Sequence, residues 1–186
     1  MKIDNITKRY GEKTVFDNFT LNLPDNKTAA LFAPSGKGKT TLLRIIADLE
    51  KPDSGSVIFS KPEKISYVFQ EDRLLPFCSV LENIKFIGAD EETALRLIEA
   101  VGLKGEENSL PDTLSGGMKR RASIARALAC PDYSLLLLDE PFNGLDENTK
   151  MMLKELIKKE TQGKTCILIT HSEEDAAALA DDIYRI

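Results

Sequence analysis

Residues 28–46 read TAALFAPSGKGKTTLLRII, and this stretch decides the fold class. It opens with a short apolar run, Thr28–Phe32, which has the length and composition of a buried strand. A loop rich in Gly, Ser and Lys follows, and from Lys39 onward apolar residues recur at helical spacing. A strand that leads through a glycine-rich loop into a helix is the context of a phosphate-binding loop, because glycines let backbone N–H groups converge on phosphate oxygens.

The rest of the chain extends this strand and helix into an α/β pattern. Two more apolar runs, Ser134–Leu138 and Thr165–Thr170, predict buried strands, with an amphipathic helix over Met151–Glu160 between them. Such alternation favours a largely parallel central sheet. Three early segments predict an antiparallel β edge beside that sheet: Lys2–Ile6, Phe19–Leu23 and Val57–Phe59.

The middle of the chain shows a helical pattern and no convincing strand. Helices are predicted over Ser79–Ile87, Glu91–Val101 and Gly116–Ala129. We therefore expect a single domain over residues 1–186 that contains a helical insert. In this division, residues 1–71 and 131–186 form the core with its β subdomain, and residues 72–130 form the helical subdomain.

The composition excludes several classes of protein. The chain has 186 residues and a formal net charge of −5, so it lacks the overall basic footprint of a nucleic-acid-binding protein. Its one histidine excludes a multi-histidine metal site, and its three distant cysteines form no CxxC motif. No apolar run approaches the ~20 residues of a membrane span. A reducing, cytosolic compartment fits best.

The phosphate-binding loop supplies specific chemistry at its carboxyl end. Lys39 can reach the β- and γ-phosphates of a nucleotide, and Thr40 can place its hydroxyl on Mg²⁺. Two features are unusual, since Ala33 replaces the common first glycine and Lys37 adds a charge inside the loop. The candidate nucleotide-binding residues here are Ala33, Pro34, Ser35, Gly36, Lys37, Gly38, Lys39, Thr40 and Thr41.

A second motif, which is acidic, comes at the end of the predicted strand at 134–138, where the sequence reads LLLLDEP over residues 135–141. Asp139 stands at the carboxyl end of that strand, where open α/β sheets bind ligands, and it can hold Mg²⁺. Glu140 comes next and can act as general base for an attacking water. A helix-capping carboxylate is the structural alternative for this acidic pair.

The sequence LSGGM at residues 114–118 predicts a second helix N-terminus that can bind an anion. Ser115 has the position of an N-cap, and the glycines leave the helix start accessible. A serine-capped, glycine-rich loop without a ligand is the alternative. The basic residues that follow are expected to form a solvated face or salt bridges, without a role in the site: Lys119, Arg120, Arg121 and Arg126.

The order of these motifs resembles that of the ATP-binding subunit of ABC transporters, and the likeness extends from Tyr10 to His171. The resemblance implies that ATP and Mg²⁺ are the ligands. It also implies a head-to-tail homodimer in which Ser115, Gly116 and Gly117 contact the ATP that the partner holds. A permease in the membrane would be a further partner, and nucleic acid would not.

The resemblance further assigns single residues. Tyr10, placed before the first β segments, would stack on adenine, and His171 would contact the γ-phosphate. Gln70 would reach Mg²⁺ and the attacking water, and Asp146 would couple the two sites of the dimer. The implied catalytic set is thus Lys39, Gln70, Glu140 and His171, and the implied metal set is Thr40, Gln70 and Asp139.

Residues 70–84, QEDRLLPFCSVLENI, resemble importer subunits of the nitrate, sulfonate and taurine group. The apolar residues Leu74, Leu75, Pro76 and Phe77 would then contact a cytoplasmic helix of the permease. Packing of the helical insert on the core is the alternative role for them. The resemblance implies a cytoplasmic protein on the inner face of the cell membrane, working with a permease and a solute-binding protein.

Other functions compete with the transport ATPase. An ABC-type ATPase outside transport would usually carry tandem cassettes or long inserts, which this sequence lacks. A P-loop kinase or GTPase is disfavoured, because it would have no use for LSGG or for a histidine at position 171. A nucleotide-binding module without turnover is disfavoured, because it would not need Glu140 as a base. The chain extends only 15 residues past His171, so we expect no C-terminal regulatory domain and a trimmed end to the core.

Overall fold

The computed structural model describes residues 1–32 and 38–185. Within these residues the chain forms eight β-strands and six α-helices. The strands are β1 Lys2–Tyr10, β2 Lys13–Asn22, β3 Thr28–Phe32, β4 Ser54–Ile58, β5 Ile65–Val68, β6 Leu135–Asp139, β7 Thr165–Thr170 and β8 Asp182–Arg185. The helices are α1 Lys39–Ile46, α2 Val80–Lys85, α3 Glu91–Ala100, α4 Gly116–Leu128, α5 Glu147–Glu160 and α6 Glu173–Leu179, with a 3-10 turn at Pro111–Thr113.

A five-stranded sheet with the order β5-β6-β7-β3-β8 forms the centre of the molecule. All four of its strand pairs are parallel, and every residue of β6 and β7 is buried. Apolar strands of this kind are expected where helices cover both faces of a parallel sheet. Because the strands are parallel, their carboxyl ends share one end of the sheet, where Asp139 is the last residue of β6 and His171 directly follows β7.

The early strands form a separate antiparallel sheet with the order β2-β1-β4. A tight turn joins β1 to β2, and its Gly11 has φ 58°, a left-handed value that glycine adopts without strain. Through this turn Tyr10 pairs with Lys13 across the hairpin. Tyr10 is therefore the last residue of the first strand, and its predicted position before the β segments is wrong.

Two hydrophobic clusters lie on opposite sides of the parallel sheet. Successive side chains of a strand point to opposite faces, so Leu136 and Leu138 join one cluster while Leu135 and Leu137 join the other. The first cluster includes the apolar faces of α2, α3 and α4; α4 packs against β5 of the sheet, and α2 and α3 pack against α4 and each other. The second holds α1 and the inner face of the antiparallel sheet.

The sequence prediction succeeded best for the buried parallel strands. The bounds of β3 and β7 are confirmed, and β6 is shifted by one residue. Two strands and one helix were missed: β5, β8 and α6. In β5 the polar Ser66 occupies a buried position, where its hydroxyl donates to the Ala127 carbonyl at 2.7 Å. The serine interrupts the apolar run by which a buried strand is predicted, so the sequence pattern did not indicate β5.

The other predicted elements differ from the structure in their bounds. The N-terminal strands β1, β2 and β4 begin or end several residues from the predicted limits, because bulges interrupt their pairing and polar residues face outward. Three helices form in the middle segment as predicted, and α5 begins four residues earlier than expected, at Glu147 directly after its cap Asp146. Within the described ranges, no helix is both long and apolar enough to cross a membrane.

Candidate active site

A cavity of about 320 Å³ opens at the carboxyl edge of the parallel sheet. The end of β1, the starts of β2 and α1, Gln70 after β5, and the end of β6 with Glu140 meet there. The side chains and backbone that line it belong to Tyr10, Lys13, Val15, Gly38, Lys39, Thr40, Thr41, Gln70, Asp139 and Glu140. Among the residues that the structure describes, the cavity therefore brings together most of those that the sequence assigned to nucleotide, metal and catalysis.

The carboxyl end of the phosphate-binding loop depends on Gly38, the N-cap of α1. Its φ is 83°, and a Cβ atom built on it would lie only 2.2 Å from Val15 Cγ1. Only glycine satisfies both the backbone conformation and the close approach. Five predicted loop residues lie outside the described residues, and the structure adds nothing on them: Ala33, Pro34, Ser35, Gly36 and Lys37.

Lys39 begins α1 and is buried, with 7% of its surface exposed. Its Nζ lies 3.7 Å from Oε1 of Glu140. Thr40 and Thr41 follow on the first turn of α1 and line the same cavity. A helix N-terminus with a lysine and two hydroxyls facing one cavity is suited to bind phosphate oxygens.

Asp139 is the best candidate for a metal ligand. Its carboxylate is buried, and neither oxygen accepts a hydrogen bond from the described residues. Burial raises the pKa of Asp139; the nearby Thr40 hydroxyl, which falls short of hydrogen-bond geometry, opposes this effect, and the charge of Glu140 adds to it. A buried carboxylate without a donor is what a bound cation would satisfy.

The other donors around Asp139 indicate which cation fits. No cluster of three or more His, Cys, Asp or Glu side chains able to hold a metal occurs in residues 1–32 and 38–185. Among the polar residues of the cavity wall, the hydroxyl of Thr40 and the amide of Gln70 are the neutral oxygen donors that the sequence assigned to a metal. Such a sparse oxygen set fits Mg²⁺, which usually completes its coordination with water and substrate phosphates.

Glu140 is the centre of the polar contacts in the site. Its Oε2 lies 2.8 Å from Nδ1 of His171, which follows β7, and an ionised carboxylate accepts this hydrogen bond. The backbone of Glu140 has φ 49°, in the left-handed region that is costly for a residue with a side chain. Its N–H donates to the Ile169 carbonyl at 3.0 Å, so the neighbouring strand holds this conformation.

Tyr10 and Gln70 line two other sides of the cavity. The hydroxyl of Tyr10 donates to Glu50 and lies 3.5 Å from Thr41 Oγ1, which holds the ring beside the start of α1. Gln70 has an exposed side chain, while its backbone carbonyl is held by a guanidinium nitrogen of Arg120 at 2.6 Å. Both residues are thus placed to contact a ligand in the cavity.

Four predicted site residues lie elsewhere on the chain. Ser115 caps α4 by accepting from the Met118 N–H at 3.2 Å, and Ser115 and Gly116 are exposed. Asp146 caps α5, with its carboxylate accepting from the N–H and hydroxyl of Thr149 at 3.0 and 2.7 Å. His171 is not part of the cavity lining, but it contacts Glu140, which is. Among the described residues, the predicted site residues with neither a place in the lining nor a recorded side-chain contact to it are Ser115, Gly116, Gly117 and Asp146.

Sequence reasoning missed three residues of the site. Lys13 and Val15 line the cavity because the hairpin turn folds β2 back beside Tyr10. Arg120 was assigned to a solvated face or to salt bridges, and the first of these is wrong, since only 6% of its surface is exposed. No local pattern distinguishes Arg120 from its basic neighbours, because its partners come from segments distant in sequence.

Comparison with known proteins gives one consistent result. The family described as ABC transporter matches residues 16–143. The aliphatic sulfonates import ATP-binding protein SsuB of Zymomonas mobilis is 39% identical over 197 residues, covering 100% of this chain and 81% of that protein. An SsuB protein of Pseudomonas syringae pv. tomato is 42% identical over 184 residues, covering 95% and 77%.

Solved structures agree with the sequence relatives. The ATP-binding cassette MJ0796, in a dimeric post-hydrolysis state bound to ADP and Pi, is 31% identical to this chain with a TM-score of 0.90. That match covers 100% of this chain and 93% of the other. A second dimeric structure of MJ0796, described as a bacterial ABC transporter cassette, has a TM-score of 0.91. The family match, the relatives and the fold show that this chain belongs to the ABC transporter family.

Proposed function

We propose that this chain is the ATP-hydrolysing subunit of an importer and drives a separate membrane permease. The observation that carries the proposal is the position of the Glu140 carboxylate. It lies 2.8 Å from His171 Nδ1 and 3.7 Å from Lys39 Nζ, at the edge of the sheet where Asp139 and the start of α1 also meet. This arrangement supports a role for Glu140 as a base beside a cationic phosphate site.

The reaction is the hydrolysis of ATP to ADP and phosphate. Tyr10 would stack on adenine, while Lys39, Thr40 and Thr41 bind the phosphates. Glu140 orients a water, removes its proton as the oxygen attacks the γ-phosphorus, and is itself oriented by His171. Bound Mg²⁺, held by Thr40, Asp139 and Gln70, would neutralise the charge of the β- and γ-phosphates.

Glu140→Gln tests the role of the base. The amide keeps the size of the side chain and removes its basicity, so we expect ATP turnover to fall about 10²- to 10³-fold. ATP affinity, measured by calorimetry, should stay within about threefold, because Glu140 does not bind the nucleotide in our proposal. Glu155→Gln, on the exposed face of α5, is the matched control. Normal turnover in E140Q would exclude Glu140 as the base.

The complete site requires a second copy of the chain. Ser115 and Gly116 are exposed at the N-terminus of α4 and lie outside the cavity of their own chain. An ATP-dependent head-to-tail homodimer would bring this helix N-terminus to the γ-phosphate held by the partner. Positive charge delivered in trans would stabilise the transferred phosphoryl group, as an arginine finger does. We propose that residues 72–130 carry α4 as a helical subdomain of this dimer.

A mainly apolar groove of about 460 Å³ is our candidate for the permease contact. Leu49 and Phe86 are largely exposed along it, and Arg73 stacks on Phe69 at 4.1 Å. An amphipathic helix with an apolar face and an acidic residue would match this surface. Of the four residues predicted to contact the permease, Leu75 lines the groove, Leu74 packs on the core, and Pro76 and Phe77 are exposed beside it.

Phe86→Ser tests the groove. Loss of an exposed aromatic anchor should reduce recovery of the chain with the membrane fraction about tenfold, with little change in the ATP turnover of the isolated protein. Ile183→Ser is the control. Ile183 is 50% exposed on β8, the outer strand farthest from β5 and the groove. Equal membrane recovery of both variants would refute this docking surface.

The cellular setting follows from these partners. We propose that the chain works in the cytoplasm on the inner face of the cell membrane, beside its permease and a solute-binding protein. The relatives are named as aliphatic sulfonate importers, which makes sulfonates the first solutes to test. Purification of the permease complex and uptake assays with alkyl sulfonates would examine this assignment.

A further inference from the structure

Arg120 is a charged side chain of α4 held in the interior by two distant segments of the chain, residues 69–72 and Glu140. It lies on the second turn of α4, and 6% of its surface is exposed. Its Nη1 donates to the carbonyl of Phe69 at 2.6 Å, and its Nη2 donates to the carbonyl of Gln70 at 2.6 Å. Nη2 also lies 3.4 Å from the carbonyl of Glu140, and Asp72 balances the charge at 3.5 Å.

These contacts connect the two residues that act on the attacking water in our proposal. Gln70 and Glu140 both line the cavity. Their backbones come from separate strands, β5 and β6, and beyond these strand ends one guanidinium contacts both. Because a guanidinium is planar and carries five N–H donors, it can fix several carbonyls in one arrangement, which a lysine ammonium does less well.

The same side chain also connects the site to the start of α4. Arg120 follows Gly116 by four residues, about one helical turn, so it moves with the helix N-terminus that carries Ser115. A shift of this N-terminus on contact with the partner's ATP would be transmitted to the carbonyls of Gln70 and Glu140. Arg120 therefore lies between the site of its own chain and the site that its chain completes.

We propose that Arg120 is a positioning residue for ATP hydrolysis, which holds Gln70 and Glu140 in register and couples them to α4. The inference rests on the proposed function, since it assumes that Gln70 and Glu140 act on the water. Arg120 touches neither substrate nor metal in this arrangement. Its loss should therefore affect the rate of the chemical step more than the binding of ATP.

Arg120→Met removes the donors and keeps most of the side-chain volume. We expect kcat to fall about tenfold or more, because misplacing catalytic groups by a fraction of an ångström is costly, while KM for ATP stays within about twofold. Arg121→Met is the matched control. Arg121 lies next in α4 and also donates to backbone carbonyls, those of Val101 and Gly102 at 3.1 and 2.7 Å, which are remote from the cavity.

The control separates positioning from general stability. Both variants lose an arginine that binds carbonyls, so both should lower Tm, but only R120M should lose kcat when assayed well below Tm. Equal losses of kcat in the two variants would overturn the proposal. So would an R120M enzyme whose KM for ATP rises as much as its kcat falls.

Arg120→Lys keeps the inference testable if R120M does not fold. Its ammonium can reach fewer of the three carbonyls, so we expect a folded protein with a kcat about three- to tenfold below the wild type. A wild-type kcat in R120K would overturn the proposal. Glu140→Gln, assayed in parallel, tests the proposed function by itself: normal turnover there refutes the base, whereas inactive E140Q with unaffected R120M and R120K refutes only the role of Arg120.

Discussion

At the scale of single residues, the site is defined by polar groups in costly environments. Asp139 is a buried carboxylate without a donor among the described residues, and Glu140 has a left-handed backbone. Position 38 accepts only glycine, because its φ is positive and a Cβ atom there would clash with Val15. Each feature costs free energy of folding when no ligand is bound, and each favours a bound ligand or a fixed side-chain direction. Such costly features are typical of functional sites.

Asp139→Asn should separate folding from metal binding. In the nucleotide-free protein at neutral pH, the amide removes a buried charge, so we expect Tm to rise by roughly 2–4 °C, which corresponds to about 1 kcal/mol. The further rise that Mg²⁺ and ATP together give the wild type should be largely absent from D139N. Calorimetry with and without the ligands measures both effects. Asp17→Asn, at an exposed position, is the control, and a lower Tm for nucleotide-free D139N would contradict the expectation.

At the scale of elements, side-chain hydrogen bonds cap the N-termini of several helices. Ser79 and Glu82 form a reciprocal cap on α2, Asp90 caps α3, and Ser115 caps α4. The loop before α2 is held by the buried Asn83, which donates to the carbonyls of Leu75, Cys78 and Ser79. These local bonds explain why the helices of the middle segment were predictable from sequence. They also fix the loop that borders the proposed permease groove.

Asp146 caps α5, and two variants can separate this role from the predicted coupling between sites. Hydrogen bonds from the Thr149 hydroxyl and N–H lower the pKa of Asp146. A lowered pKa in the folded state means that the stabilisation is complete above the ordinary Asp value of about 3.9 and is lost as the pH falls through the lowered value. Asp146→Ala should therefore reduce Tm by roughly 2–4 °C at pH 7 and by progressively less in acid.

Asp146→Asn is the control, because its amide oxygen can still cap the helix. We expect its Tm at pH 7 to stay close to that of the wild type. A Tm difference between D146A and the wild type that did not shrink in acid would contradict the capping role. If the aspartate also couples the two sites, ATP turnover should fall in D146N although its Tm does not.

At the scale of the whole molecule, our proposal gives one chain halves of two sites. Its cavity is lined by Lys39 and Glu140, the proposed phosphate ligand and base, while Ser115 and Gly116 are exposed at the start of α4. The hydrophobic cluster that joins α2, α3 and α4 to the parallel sheet gives the helices and the cavity a common support. Function at this scale depends on the second copy and on the permease.

Complementation between inactive variants tests the shared site. Lys39→Ala disables the phosphate site of its own chain. Gly116→Asp places a negative charge at the N-terminus of α4, where a Cβ atom meets no neighbouring atom. Each variant alone should hydrolyse almost no ATP. An equal mixture should recover about a quarter of the wild-type rate, since half of the dimers are mixed and each mixed dimer has one intact site. A double variant mixed with K39A is the control, and absence of recovery in the test mixture would refute sites shared between chains.

The sequence by itself determined the parallel core, the phosphate-binding motif and the acidic pair after β6, because short apolar strands and motif spacing are local properties. Only the tertiary structure decided that Tyr10 and Lys13 face the same cavity, that Ser66 belongs to a strand, and that Arg120 is buried. These outcomes depend on hydrogen bonds between residues far apart in the chain. A guanidinium that binds three carbonyls of two distant segments has no local signature, since its partners are chosen by the packing of α4 against the sheet.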